Sequence, residues 1–183
     1  DVYKRQDWMP QAPKQWTPVI MLQKEAAVAV EYRKSEQAHL SVGLPGLPLG
    51  HLDKYAISLV NTMLGEGMSS RLFLEVREKR GLAYDVHSSL GQYLDCGALT
   101  VYCGSEPTRI TDAITAIMGE LIGLKDGFSE DELDRAKEYS KGRFHLRMED
   151  TRSVCMWQGG QELLLGEIST MGEVVDGIDA VSI

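Results

Sequence analysis

Apolar residues alternate with polar or small residues along four stretches of the chain, which predicts four strands. The first two cover residues 26–32 and 38–44, and a Pro-Gly-Leu-Pro run at residues 45–48 is expected to end the second strand. The other two cover residues 84–92 and 96–104 and are joined by a tight connection. The strands therefore come in two hairpin-like pairs.

Apolar residues at helical spacing predict two helices between the strand pairs and four helices after the second pair. The helical spacing covers residues 52–64, 70–80, 110–122, 133–146, 154–165 and 174–181. Residues suited to capping mark most of the helix ends. The predicted caps are Ser69 and Ser70, Ser105, Ser129 with Glu132 as a capping box, and Asp150 at the starts, and Gly81 and Gly166 at the ends.

This order of elements is typical of an α+β domain rather than a doubly wound parallel sheet. We predict a mixed or antiparallel sheet with helices packed on one face. Residues 1–18 are polar, contain prolines and have no periodicity, so they are expected to form an unstructured arm before a single domain at residues 19–183. The last helical pattern stops abruptly, and we expect a fragment of a longer protein, truncated at the C-terminal end of this domain.

The composition excludes several classes of partner. The chain has 183 residues and a net charge of −8, which disfavours binding to nucleic acid or to an anionic membrane surface. No apolar run approaches the roughly 20 residues of a membrane span. The odd number of cysteines, three, indicates no disulfide framework. Cys96 and Cys103 cannot bond to each other, because they would lie about 23 Å apart on one strand. A reducing compartment, such as the cytoplasm, is favoured.

Most familiar catalytic patterns are absent from the sequence. None of the four histidines has a second ligand at metal-binding spacing, and no Gly-x-Ser-x-Gly nucleophile motif occurs. Ser69 and Ser70 follow a Gly-rich turn, where helix capping is a simpler explanation than nucleophilic catalysis. The same turn, residues 65–67, lacks the Lys-Ser/Thr ending of a phosphate loop and carries a carboxylate, so a phosphate site is rejected.

Arg77 and Tyr84 are the remaining candidates. Arg77 falls in the last turn of the short helix, and Tyr84 lies just beyond Gly81, where the next strand begins. The chain doubles back between them, so a guanidinium and a phenol could converge as two donors for a developing oxyanion. The alternative is ordinary: the arginine would stabilise the helix end and the tyrosine would pack.

The segment from Leu64 to Tyr84, L-G-E-G-M-S-S-R-L-F-L-E-V-R-E-K-R-G-L-A-Y, closely resembles the pitrilysin/insulinase-type zinc metallopeptidases. The resemblance is to their C-terminal, non-zinc domain, and specifically to the processing-peptidase-like subgroup. It extends from about residue 19 to the end of the chain. Further matching stretches are Glu36–His39, Phe128–Leu133, Met148–Arg152 and Gln161–Gly166.

This resemblance implies a specific role in proteolysis. Family members carry two related α+β domains in each half, and the halves enclose a peptide chamber. The N-terminal domain holds zinc on an inverted His-x-x-Glu-His helix, and the C-terminal domain contributes an Arg and a Tyr, seven residues apart, that hold the substrate carbonyl. Arg77 and Tyr84 match that spacing.

The inverted zinc motif is absent from this chain, which is therefore expected to be inactive alone. The resemblance places Zn²⁺ in an upstream domain or a partner subunit of the same family, with a peptide as the substrate. The alternative is a non-catalytic scaffold or peptide-holding subunit, like the family members found in respiratory complexes or as the inactive partner of a processing peptidase. An intact zinc motif upstream would favour the enzyme, and a broken one the scaffold.

Overall fold

Three antiparallel strands form one sheet in the computed structural model, which describes residues 16–183. They are β1 (Ala38–Gly46), β2 (Ala83–Gln92) and β3 (Gly97–Ser105). β3 lies in the centre and pairs with both neighbours, in the spatial order β1–β3–β2. The predicted tight connection therefore joins β2 to β3. β1 forms the other edge of the sheet and is separated from β2 along the chain by two helices.

Helices make up most of the remaining described chain, and together with the sheet they confirm the predicted α+β class. The helices are α1 (Lys54–Gly65), a π-helix (Phe73–Lys79), α2 (Ile110–Gly123), α3 (Glu130–Met148), α4 (Thr151–Leu165) and α5 (Met171–Asp179). Short 3₁₀ turns at Pro107–Arg109 and Leu124–Asp126 flank α2.

The sheet is buried on one face only. Val101 and Cys103 of β3 are fully buried beneath α1, α2 and the π-helix, together with Leu64 and Leu72. Each such aliphatic side chain contributes roughly 1.5–3 kcal/mol by leaving water. The alternate residues face away from the helices; Tyr102 is one of them, and its hydroxyl lies 2.8 Å from a ring nitrogen of a histidine on β1. The predicted packing of helices on one face is confirmed.

A second apolar cluster joins α1 to α3 and α5. Leu59 and Met63 of α1 pack against Leu133 and Ala136 of α3 and against Ile178 of α5. α1 therefore belongs to both clusters and fixes the C-terminal helices relative to the sheet.

The strand predicted over residues 26–32 is wrong. Residues 16–35 contain no helix or strand, and Val28 and Val30 are each 89% exposed. A strand needs a neighbour to accept its backbone hydrogen bonds, and no backbone bond of that kind joins this segment to the rest of residues 16–183. The predicted arm at residues 1–18 lies outside the described residues except for its last three.

The predicted end of the second strand is also displaced. β1 continues through Pro45 to Gly46, opposite Ala98 and Gly97 of β3. Proline lacks the N–H that an interior strand must donate, but β1 is an edge strand whose outer side needs no partner. The edge position explains why this run does not break the strand.

Predicted caps at the later helices are partly confirmed. Asp150 accepts a hydrogen bond of 2.8 Å from the backbone of Ser153, and Gly166 ends α4 with φ +74°. Ser129 accepts from the backbone N–H of Glu132, but the Glu132 carboxylate bonds elsewhere and does not complete the capping box. A complete capping box, which the sequence analysis missed, stands at the start of α5.

Candidate functional site

The Gly-rich turn after α1 leads directly into the π-helix. Ser70 is buried, and its hydroxyl donates to the carbonyl oxygen of Gly67 at 2.8 Å, so the predicted role of Ser70 as a helix cap is wrong. No side chain caps the start of the π-helix. Leu72 and Val76 are fully buried and anchor one side of this helix in the sheet-facing core. Single π-helical turns occur frequently at functional sites, since they change which side chains face outward.

Arg77 lies on the exposed side of the π-helix, between two aromatic rings. Its guanidinium carbon is 4.9 Å from the ring centroid of Phe73 and 5.7 Å from that of Tyr84. Both distances are within the range of a cation–π contact. Arg77 and Tyr84 are thus brought together, through the ring of the tyrosine.

Lys79 and Arg80, the other cations at this end of the helix, both bind a carboxylate. Glu75 accepts hydrogen bonds of 2.8 Å from Lys79 and from Arg80. These two bonds lower the pKa of Glu75. Within residues 16–183, no ion pair or side-chain hydrogen bond engages the Arg77 guanidinium. One arginine of a charged helix face is therefore directed away from the acidic partner that its neighbours share.

The turn between Arg77 and Tyr84 is fixed by hydrogen bonds to its backbone. Gly81 has φ +56°, a conformation that favours glycine, and its N–H donates to the Arg77 carbonyl oxygen at 3.1 Å. The prediction that Gly81 ends the helix is confirmed. Arg109 donates from Nη1 to the carbonyl oxygen of Gly81 at 2.7 Å and from Nη2 to that of Arg80 at 3.0 Å.

A β-bulge directs the Tyr84 side chain outward. Ala83 pairs with Ser105 and Asp85 pairs with Gly104, so that Tyr84 is an extra residue on β2. The tyrosine is 79% exposed, whereas Ala83 is buried. Bulges re-aim side chains and are over-represented near active sites. Because Tyr84 is itself the extra residue of the bulge, its outward direction depends on this local irregularity of β2.

A partly buried ion pair links Arg71, which lies just before the π-helix, to α3. Arg71 donates to both carboxylate oxygens of Glu132, from Nε at 2.6 Å and from Nη2 at 2.8 Å, and Nη2 also donates to the Gly127 carbonyl at 3.0 Å. The hydrogen bonds from Arg71 lower the pKa of the Glu132 carboxyl despite its partial burial. The π-helix is therefore fixed at its N-terminal side by Arg71 and at its C-terminal side by the Arg109 contacts.

The two predicted site residues, Arg77 and Tyr84, lie together in the structure, whereas their neighbours Phe73 and Arg109 were not predicted to belong to the site. Phe73 falls within the helix predicted over residues 70–80, and its position four residues before Arg77 places the two side chains on a shared face. Arg109 had no signal in the sequence, because its partners are backbone carbonyls 28 and 29 residues away. In the part of the chain that the structure describes, no group of three or more His, Cys, Asp or Glu residues is arranged to hold a metal ion.

A comparison with protein families identifies the kind of domain. Residues 3–139 match the family model described as the peptidase M16 inactive domain. The chain belongs to this family. The matched range includes β1, the π-helix, Arg77 and Tyr84, and it begins within the predicted N-terminal arm. The recognised relationship to the non-zinc domain of zinc metallopeptidases is confirmed, while the processing-peptidase subgroup stays a prediction.

Curated relatives of this M16 domain carry the name zinc protease. YmxG of Bacillus subtilis is 41% identical over 152 residues, which cover 82% of this chain and 37% of YmxG. A zinc protease of Streptomyces coelicolor is 40% identical over 151 residues, covering 82% of this chain and 33% of the relative. The chain thus spans about a third of the length of these relatives.

Solved structures share the fold. The peptidase M16 inactive domain from Pseudomonas fluorescens superposes with a TM-score of 0.73 at 25% identity, covering 81% of this chain and 36% of that one. An inactive peptidase domain from Bordetella parapertussis gives 0.68 at 20% identity and covers 82% of both chains. In residues 16–183, no helix combines the length and apolarity needed to cross a membrane.

Proposed function

We propose that this M16 inactive domain forms one wall of a peptide chamber in a zinc metallopeptidase. In this function Arg77 and Tyr84 donate hydrogen bonds to the scissile carbonyl of an extended peptide. A zinc-binding domain or partner subunit outside residues 1–183 would supply the zinc ion and the water that it activates. The observation that carries the proposal is the contact between Arg77 and Tyr84 on an exposed surface of a domain of this family. The guanidinium carbon of Arg77 lies 5.7 Å from the centroid of the Tyr84 ring.

The chemistry of the two side chains supports this role. A guanidinium stays charged at all physiological pH values and presents five N–H donors, and a phenol adds one O–H donor. Within residues 16–183, neither the Arg77 guanidinium nor the Tyr84 hydroxyl has a hydrogen-bond partner. Two donors that are free of protein partners are available to stabilise the charge that develops on a carbonyl oxygen.

The relatives support the wider context of the proposal. Proteins named zinc proteases are 40–41% identical to this chain, and it covers only about a third of their length. A domain that provides substrate-binding groups but no metal ligands requires a second domain or subunit that provides the metal. We infer that such a partner, on the same or another chain, faces Arg77 and Tyr84.

The test uses the full-length protein in which this chain is expected to be contained. Arg77→Ala and Tyr84→Phe are each predicted to lower kcat by on the order of 10²–10³ for a chelator-sensitive peptidase activity, the scale of losing one oxyanion donor. Arg147→Ala and Tyr93→Phe are matched controls, because both side chains are exposed and lie outside this site. Unchanged kcat in both site variants would overturn the assignment of Arg77 and Tyr84 as donors to the substrate carbonyl.

A further inference from the structure

We propose that Phe73 is a positioning residue for Arg77: its ring holds the guanidinium beside Tyr84 and away from the carboxylates of the same helix. This inference rests on the proposed function, since it concerns the group that would contact the substrate carbonyl. Phe73 itself would not touch the substrate. The assignment depends on the aromatic character of the side chain and goes beyond its apolar packing.

The geometry places Phe73 closer to the guanidinium than Tyr84 is. The guanidinium carbon of Arg77 lies 4.9 Å from the Phe73 ring centroid, compared with 5.7 Å for Tyr84. Phe73 is half-buried and follows the fully buried Leu72, so the backbone that carries its ring is packed against the core. Tyr84 is mostly exposed and sits on a bulge. The less exposed ring is therefore the better support for the charge.

The charges around Arg77 explain why such a support is needed. Glu75 lies two residues away and already binds Lys79 and Arg80, and Glu78 is the adjacent residue. An arginine side chain has many rotamers, and a nearby carboxylate is a competing partner for its donors. A guanidinium that stacks on a ring keeps its N–H groups available at the edges, whereas one that forms an ion pair does not.

An aromatic ring supplies an attraction that an aliphatic side chain of similar size lacks. The face of the ring carries partial negative charge, which attracts a cation. Leucine at position 73 would retain most of the apolar contact with the core and lose this attraction. Tyrosine would retain both. The pair of substitutions thus separates positioning of the guanidinium from simple packing.

The experiment compares Phe73→Leu with Phe73→Tyr in the full-length protein. Phe73→Leu is expected to lower kcat by about three- to tenfold with little change in KM, whereas Phe73→Tyr stays within about twofold of the parent. In an Arg77→Ala background, Phe73→Leu is expected to have no further effect. Phe144→Leu is the matched control, because Phe144 packs on Trp157 between α3 and α4.

A spectroscopic measurement keeps this inference separate from the proposed function. In protein with labelled arginine, the Arg77 side-chain signals are expected to show ring-current shifts that Phe73→Leu reduces and Phe73→Tyr preserves. Equal effects of the two substitutions on these signals, or a loss of kcat from Phe73→Leu that persists without Arg77, would overturn the inference. If Arg77→Ala leaves kcat unchanged while the shifts behave as expected, the proposed function fails and the positioning contact stands.

Discussion

The guanidinium of Arg109 bonds the carbonyl oxygens of two successive residues, including Gly81 at 2.7 Å. These carbonyls belong to the end of the π-helix, where backbone acceptors have no partner within the helix. A cation at this end also interacts favourably with the helix dipole. Arg109, just before α2, therefore fixes the turn between Arg77 and Tyr84 from a distant point in the sequence.

Replacing Arg109 should destabilise this turn. We expect Arg109→Ala to lower the free energy of unfolding by about 1–2 kcal/mol, because two carbonyls lose a charged donor at a partly exposed site. Arg109→Lys should recover only part of this loss, since an ammonium cannot reproduce the planar fork. Urea denaturation of the chain would measure both, with Arg147→Ala as the control. A change no larger than that of the control would contradict the assignment.

The Arg71–Glu132 ion pair predicts a pH-dependent stability difference. The pKa of Glu132 is lowered in the folded state from an ordinary value of 4.5. The contribution of the Glu132 carboxylate to the free energy of unfolding is therefore fully present above pH 4.5. It is lost as the pH falls through the lowered folded-state pKa. Glu132→Gln should cost about 1–3 kcal/mol at pH 7, and this difference should shrink below about pH 4.5.

Glu130→Gln is the matched control for this experiment, because Glu130 stands in the same first turn of α3 but is exposed. Unfolding curves at pH 7 and at pH 3–4 would be compared for both variants. A penalty for Glu132→Gln that is equal to the control at pH 7, or constant with pH, would show that the ion pair contributes little.

Two glycine substitutions should change stability in opposite directions. A Cβ at Gly65 would lie 2.8 Å from the Cβ of Ser88 and closer still to the Ser88 amide nitrogen, so Gly65→Ala should cost about 1–3 kcal/mol by overpacking α1 against β2. Gly142 lies within α3 with no atom near an added Cβ. Gly142→Ala should therefore stabilise the chain by about 0.5–1 kcal/mol. Thermal unfolding of the two variants provides the comparison.

The cysteines should differ in reactivity. All three are free; Cys103 is buried in the sheet-facing core and Cys155 is exposed on α4. Burial raises the pKa of the Cys103 thiol, which lowers its thiolate fraction at any given pH. Mass spectrometry after brief alkylation at pH 8 should find Cys155 modified and Cys103 protected until the chain is denatured. Equal labelling of both in the folded state would contradict this packing.

The sequence predicts those elements whose ends and faces are set locally. β2, β3 and α4 follow from the spacing of their own residues, and Asp150 and Gly166 act on the helix that they border. The Glu132 carboxylate behaves otherwise, because its partner Arg71 lies 61 residues away and is stronger than the backbone N–H of a capping box. Such competition between a local and a distant partner cannot be read from spacing.

The candidate site likewise combines residues that the sequence predicts with features that it does not. Arg77 and Tyr84 could be found because their spacing matches a family pattern, and Gly81 because its conformation has a sequence signal. The π-helical geometry and the bulge could not be found, since both depend on how the buried Leu72 and Ala83 fit the core around them.

The bulge at Tyr84 makes this region sensitive to chain length. In a strand, inserting or deleting one residue transfers every following side chain to the opposite face, until another irregularity restores the register. An insertion between Gly81 and Tyr84 would therefore move either the tyrosine or the core residue Val86 from its present face, unless a second irregularity absorbed the extra residue. Natural variation here should consequently take the form of substitutions, while changes in length accumulate in connections such as the one between β2 and β3.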